Sequence, residues 1–417
     1  MKIVFICAVF PPEPAPAGIM AHQLATRLAR EGHDVTMIVP FPNRPEGILY
    51  SGFRRRLRTR TVTREGYTLV RCANWLLGRE RKSLNRILEN ITFGLSSAWA
   101  ASREGRPDFM ITETWPLFAT LFCTSLARWW RIPYWYYVQD VYPEAAEGAG
   151  IINANGLVSR ACRLWDRYLC SHSAHVIVIS ETMRDLLAAN RKLPLECLTV
   201  IPNWLDEAAF GVWQGESTWG SKQGIPSHVF VALFGGTLGH VSGVEVLVDV
   251  ARITKNDTEI MLLCIGEGSR KEAMVNEASR LGLTNIRFLP FQPVERVPEV
   301  QASCDVALLT MHPDSSDSSV PSKLITYFAA SLPVVCAAKA ESAVARTVRD
   351  AGAGIVVSPG DPQAIADAIL LLKGDSEIAQ RMGRNARHYF EKHYTLERAY
   401  SQFSTLLQNK EGCKAKA

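Results

Sequence analysis

The 417 residues hold no run of about 18 uninterrupted apolar side chains. Leu117 to Trp130 is broken by Arg128 and is too short for a bilayer, so the chain is not expected to cross a membrane. Ten cysteines are scattered without a CxxC pair, a CxxH pair or even spacing. That argues against a zinc site and a disulfide framework, and leaves reduced thiols in a cytosolic protein as the expectation. No DxD carboxylate pair is present to hold a metal. No GxGxxG follows a strand, which disfavours a nicotinamide-dependent dehydrogenase. Charge of one sign is in small excess only: the net +5 implies no nucleic-acid partner unless the charge is gathered somewhere. The opening MKIVFICAVFPPEP stops at two prolines without a processing site and reads as a first strand, not a signal.

What is present is a soluble, globular composition, 47% hydrophobic and 21% charged, with length for two domains. The basic charge is in fact gathered. Arg54, Arg55, Arg56, Arg58, Arg60 and Arg64 share one polar stretch, and Arg79, Arg81, Lys82 and Arg86 follow. Beside them Leu84, Ile87, Leu88, Ile91, Leu95, Ala98 and Trp99 recur at helical spacing. Two readings are open: a solvated loop beside a core helix, or a face that lies on a membrane surface, with Arg54, Arg55, Arg56 and Arg58 towards the lipid.

Short β-rich runs alternate with helical patterns from KIVFICAVF to LTVIPN, and the rhythm restarts after residue 225 with HVFVALFGG, EIMLLCIG, IRFLPF, CDVALLT, LPVVCA and AGIVVS. Alternation of this kind indicates parallel sheets covered by helices, hence an α/β chain of two doubly wound domains. The boundaries read as 1–204, a glycine-containing linker at 205–225, a second domain at 226–385, and an aromatic-rich helical tail at 386–417 that braces the first domain. Ligands of such folds bind beyond the carboxyl ends of the strands, so a cleft facing both sheets is expected.

Three stretches of the second half suit an anion. FGGTLG offers Gly236, Thr237 and Gly239 after a strand, and CIGEGSRKE offers Gly266 and Glu267 after the next. In SSVPSKLITYFAASLPV, Pro321, Ser322 and Lys323 open a helix. A cation in a helix's first turn is unfavourable unless an anion offsets it, and the pattern suits a pyrophosphate.

The ordered motifs FPPE, RLAREGHDV, VIPNW, FGGTLG, IGEGSRK, VPSKLITYFAASLPVV and AGAGIVVSPGD resemble glycosyltransferase family four over essentially the whole chain. The resemblance implies the GT-B fold, two Rossmann-like domains facing a central cleft with a C-terminal helix crossing back. It further implies metal-independent hexosyl transfer with retention of configuration, without a cofactor. VPSK, IPNW and VQDVYPEAAEGAG look most like the colanic-acid and fucosamine-transferase-like branch. The donor would be a UDP- or GDP-linked sugar. The acceptor would be a lipid-linked saccharide of exopolysaccharide or O-antigen synthesis, met at the inner face of the cytoplasmic membrane by a peripherally bound enzyme.

The chain departs from that family where charge matters most. Thr237 and Ser242 stand where members carry an arginine and a lysine, and the two glutamates of an E-x7-E motif fall on Ser318 and Thr326. Gln139-Asp140 replaces a histidine-aspartate pair, and the first-loop glycines become Pro16-Ala17 beside Gly18. Lys323 is therefore expected to take over phosphate neutralisation, in a donor site of Gly236, Thr237, Gly239, Gly266, Glu267, Ser318, Pro321, Ser322, Lys323 and Thr326. Glu13 and Gly18 are expected at the acceptor, with Asp140 and then Glu144 as orienter or base. Either carboxylate could instead cap a helix. A sugar-nucleotide epimerase of like architecture, an inactive paralogue and a membrane-associated scaffold are the competing readings.

Overall fold

A computed structural model of the chain describes all residues but 14, 45–46, 76–82, 145–146, 148–151, 154–155, 209–212, 214–216, 315–320 and 409–417. It forms two compact units, Met1–Pro202 with Tyr400–Ala417, and Asn203–Ala399.

The first unit contains β1 (Lys2–Ile6), β2 (Asp34–Pro40), β3 (Arg58–Val62), β4 (Thr68–Cys72), β5 (Phe109–Glu113), β6 (Tyr134–Val138), β7 (His175–Val178) and β8 (Leu198–Val200). They form one sheet in the order β3-β4-β2-β1-β5-β6-β7-β8. β5, β6 and β7 are buried at every residue, as apolar strands of a parallel sheet covered on both faces must be. Strand order reverses between β1 and β5, so their carboxyl ends border a crevice of the kind that binds ligands. The antiparallel hairpin β3–β4 was not anticipated from the sequence, where Arg54 to Arg64 reads as loop. Its turn closes with Thr63 N donating to Tyr67 O at 2.9 Å, and Gly66 takes φ 94°. The polar edge strand RTRTV also deters pairing with another chain.

The second unit contains β9 (Phe230–Gly235), β10 (Ile260–Ile265), β11 (Ile286–Leu289), β12 (Val306–Thr310), β13 (Val334–Ala337) and β14 (Gly354–Val357), all parallel, ordered β11-β10-β9-β12-β13-β14. The reversal falls between β9 and β12. Alternate residues of β9 feed two cores: Val231 and Leu233 pack on one face, Ala232 and Phe234 on the other.

The segment expected as a linker is part of the second unit. Trp219 is fully buried among Ile225, Val229 and Val300, and a tryptophan so placed outweighs the local glycine content. Leu205 bridges to Thr395. The tail likewise divides later than residue 386. Ala386 and Phe390 belong to the second core, and the chain joins the first unit at Tyr400. There Phe403 stacks on Trp135 at 6.5 Å and meets Tyr137 edge-on, while Arg27 lies over Tyr400 at 5.0 Å. The expectation of uniformly reduced thiols is corrected at Cys197, which is disulfide-bonded. Among the described residues, no helix is long and apolar enough to cross a membrane.

Candidate active site

Helix Ser322–Ala329 follows β12 and buries Leu324, Ile325 and Phe328 in the second core, which fixes its first turn at the sheet's carboxyl edge. Tyr327 ties it to β9: its hydroxyl accepts from Gly235 N at 2.8 Å and reaches Gly235 O at 3.3 Å. Lys323 Nζ then lies 4.0 Å from the centre of the Phe234 ring, and a Cβ on Gly236 would stand 3.3 Å from it. Gly236 therefore leaves the ammonium open to whatever occupies the crevice. Among the described residues no carboxylate pairs with it. Desolvation pushes its pKa down to about 8. Burial and the helix dipole both oppose the charge, and an anion at the helix N-terminus would offset both.

Pro321 occupies the cap position, with φ −59° and ψ 135°, so the helix begins at exposed Ser322. Thr326 is used within the fold: its hydroxyl donates to Lys323 O at 2.8 Å and accepts from Gln301 Nε2 at 3.1 Å. Ser318 lies outside the described residues. The two glycine turns zip together, with Gly236 N donating to Ile265 O at 2.8 Å and Leu238 N to Glu267 O at 2.9 Å. A Cβ on Gly266, at φ 153°, would fall 1.8 Å from Gly236 O. The glycine is required there by loop contact, and its N–H is engaged by Leu289 O. Glu267 pairs with Lys271 at 2.7 Å. Thr237 is exposed, Gly239 opens the short turn His240–Ser242, and Ser242 Oγ donates to Thr237 O at 3.1 Å.

In the first unit, Asp140 follows β6, exposed and without a hydrogen bond or ion pair among the described residues, and desolvation raises its pKa. Glu144 has a structural duty instead of a free carboxylate. Both its oxygens accept from Arg191 at 2.8 Å, and Asn190 adds a third bond at 3.1 Å. Burial acts to raise the Glu144 pKa, but Arg191 outweighs it and the net shift is downward. Arg191, 1% exposed, also holds Asp166 at 2.7 Å.

Glu13 is likewise spent: its carboxylate accepts from the N–H groups of Asn43 at 2.7 Å, Arg44 at 2.8 Å and Phe10 at 3.3 Å. Gly18 is a packing glycine, since a Cβ would sit 2.9 Å from Phe10 Cα and Val9 O. Arg54, Arg55 and Arg56 are exposed, whereas Arg58 is half-buried and bridged to Glu104. Arg55, Arg56 and Leu57 join Phe41, Leu49 and Trp75 around a cavity of about 320 Å³.

Two family models match the chain in tandem: "Glycosyl transferase 4-like domain" over residues 17–204 and "Glycosyl transferases group 1" over 216–389. The chain is a glycosyltransferase of the GT-B fold. It is 24% identical, over 97% of its length and 98% of the relative's, to the putative colanic acid biosynthesis glycosyl transferase WcaI of Escherichia coli K12. In structure it is similar to the sucrose-phosphate synthase of Thermosynechococcus elongatus (TM-score 0.74, 16% identity, 98% of both chains). It is also similar to Anabaena HepE in complex with UDP-glucose (TM-score 0.71, 16% identity, 98% of this chain and 99% of that one).

One group of this glycosyltransferase escaped the sequence reading. Glu113 ends β5 at the first unit's reversal point, and burial raises its carboxyl pKa to about 8 against the opposing Ala8 N–H and Arg44. In register beside it is Tyr137, whose buried hydroxyl is held neutral by burial and by the neighbouring Glu113 carboxyl, against the opposing contact with Gln139. A glutamate closing the apolar run FMITE was the available signal.

Proposed function

We infer that this glycosyltransferase moves a hexosyl-type sugar, with retention of anomeric configuration, from a UDP- or GDP-linked donor to a lipid-linked saccharide of bacterial exopolysaccharide or O-antigen synthesis. The observation that carries the reading is the Lys323 ammonium beneath Gly236, at the reversal of the second sheet. The leaving nucleoside diphosphate develops charge at the donor's anomeric bond. Lys323 and the N–H groups of Ser322 and Lys323 neutralise it, and losing one well-placed donor of this kind costs about 10²-fold or more in rate. Charge neutralisation by these groups is the basis for proposing a metal-independent reaction. Asp140 orients the acceptor hydroxyl or takes its proton.

The acceptor's lipid draws the first unit to the inner face of the membrane as a peripheral protein. Arg54, Arg55 and Arg56 stand beside exposed Leu57 and Trp75, and Leu88, Leu95 and Trp99 form an exposed stripe on helix Ser83–Glu104. The likeness to a colanic acid transferase supports an acceptor of this class.

The test combines calorimetry of UDP and GDP with a transfer assay on a lipid-linked saccharide, both in EDTA. The reading expects one nucleotide to bind, at least tenfold more weakly to Lys323→Ala, and a product of retained configuration. Binding indifferent to Lys323, epimerised sugar nucleotide, or an inverted product would each refute it.

A further inference from the structure

The first unit turns large apolar side chains outward where a surface helix should be polar. The steps from β4 to β5, β5 to β6 and β6 to β7 all run the same way across the sheet. Right-handed crossovers therefore lay helices Ser83–Glu104, Leu117–Trp129 and Leu157–His172 in one layer on one face. The packing agrees: a Cβ on Gly94 would stand 2.7 Å from Phe118 C, and the Phe118 ring meets Trp165 edge-on at 6.0 Å. Helix Leu157–His172 buries Asp166, Leu169 and Cys170 on its inner side, and exposes Ala161, Leu164 and Tyr168, three and four residues apart, on its outer side. Leu164 is 69% exposed, and Trp129, which closes the middle helix, is 75% exposed. The Arg128 guanidinium lies 5.4 Å over the Tyr168 ring and joins the two helices at this surface. With exposed Leu95 and Trp99 on the first helix, the outward apolar side chains span the whole layer, which marks an interaction surface.

The charge around them has one sign. Helix Leu117–Trp129 contains no aspartate or glutamate, and the acid of helix Leu157–His172, Asp166, is buried against Arg191. Arg128, Arg131, Arg160 and Arg167 are exposed, and among the described residues none of them is in an ion pair. A second copy of this chain would bring the same arginines to a self-contact and be repelled. A bilayer of anionic phospholipid instead supplies phosphates for the guanidinium groups and an interface that suits leucine, tyrosine and tryptophan. The layer is the flank of the sheet, so a bilayer there leaves the crevice at the strands' carboxyl ends uncovered.

We propose that the outer face of helices Leu117–Trp129 and Leu157–His172 docks the first unit on an anionic phospholipid bilayer. Trp129, Leu164 and Tyr168 enter the headgroup region, and Arg128, Arg160 and Arg167 meet lipid phosphates. The proposal rests on the peripheral-membrane reading above and adds to it a second surface, separate from Arg54, Arg55 and Arg56, and a requirement for anionic lipid.

The experiment is co-sedimentation of the full chain with vesicles of phosphatidylcholine alone and of phosphatidylcholine with phosphatidylglycerol at about 7:3. Binding is expected to the anionic vesicles only. Arg160→Gln and Arg167→Gln should each weaken it about fivefold, and Trp129→Ser with Leu164→Ser together by about fivefold or more. Full binding by all of these variants, or equal binding to neutral vesicles, overturns the docking face; loss of binding in an Arg54→Gln, Arg55→Gln, Arg56→Gln variant then leaves the peripheral reading standing. No binding of the unaltered chain to either vesicle overturns both. A dimer of the unaltered chain in light scattering that Trp129→Ser with Leu164→Ser dissociates assigns the face to self-contact and overturns the lipid. A melting transition kept by each variant separates these results from misfolding.

Discussion

Removing the charge at Lys323 should stabilise the second unit while weakening its donor binding. Burial lowers the Lys323 pKa from 10.5 to about 8, equivalent to about 3 kcal/mol of opposition to the charged form. The contact with Phe234 at 4.0 Å returns about 1 to 2 kcal/mol of that. Lys323→Met keeps the stem's volume and removes both terms, so at pH 7 the variant should gain about 1 to 2 kcal/mol. The pH dependence has a definite sign. Between about 8 and 10.5 the unfolded chain holds a proton that the folded chain has lost, so the parent's stability rises with pH across that window and the penalty is fully present below it. Parent and variant should therefore differ at pH 7 and converge towards pH 10. Thermal and urea unfolding at both pH values, beside UDP and GDP calorimetry, is the assay. A variant less stable than the parent at pH 7, or a difference that ignores pH, would refute the reasoning that this lysine is held at a cost for an anion's sake.

Three other outcomes are expected. Gly266→Ala places a Cβ 1.8 Å from Gly236 O and should cost more than about 3 kcal/mol, read as early melting and loss of nucleotide binding together. Arg191→Met strands Asp166 and Glu144, so stability should fall by about 3 to 5 kcal/mol with nucleotide affinity unchanged, by the same melts and calorimetry. Asp140→Asn should lower kcat by about 10²-fold or more and leave UDP or GDP affinity alone in steady-state transfer assays; an unaffected kcat removes Asp140 from the reaction.

The two doubly wound sheets were legible because their strands are short apolar runs separated by helical periods, a pattern that burial on both faces enforces. The β3–β4 hairpin was not, since RTRTV has the composition of a solvated edge and pairs only through its neighbour. Trp219 was misjudged for the opposite reason: one large buried side chain decides where a polar, glycine-containing segment lies, and no local period announces it. The glycine turns were legible as turns, but what each glycine is needed for was not. Gly236 does leave room before Lys323, whereas Gly266 serves the contact between the turns.

The carboxylates show why residue type alone does not assign chemistry. Glu13, Glu144 and Asp140 all lie near the carboxyl edge of the first sheet, and sequence alone, though it puts Asp140 before Glu144, does not supply the physical ground for that order. The packing does, through the donors each one meets. Three backbone N–H groups saturate Glu13, and a buried arginine with an asparagine saturates Glu144. A carboxylate so engaged has most of its acceptor sites occupied, and Glu144 is in addition made less basic by Arg191. Asp140 keeps its acceptor sites and its basicity, because desolvation raises its pKa and, among the described residues, no donor lowers it again. The same reasoning selects Lys323 among the second unit's cations. Beside the two glycine turns, Lys271 is neutralised by Glu267 at 2.7 Å and Arg270 by Glu245 at 2.9 Å, whereas the half-buried Lys323 ammonium next to Gly236 meets no carboxylate among the described residues.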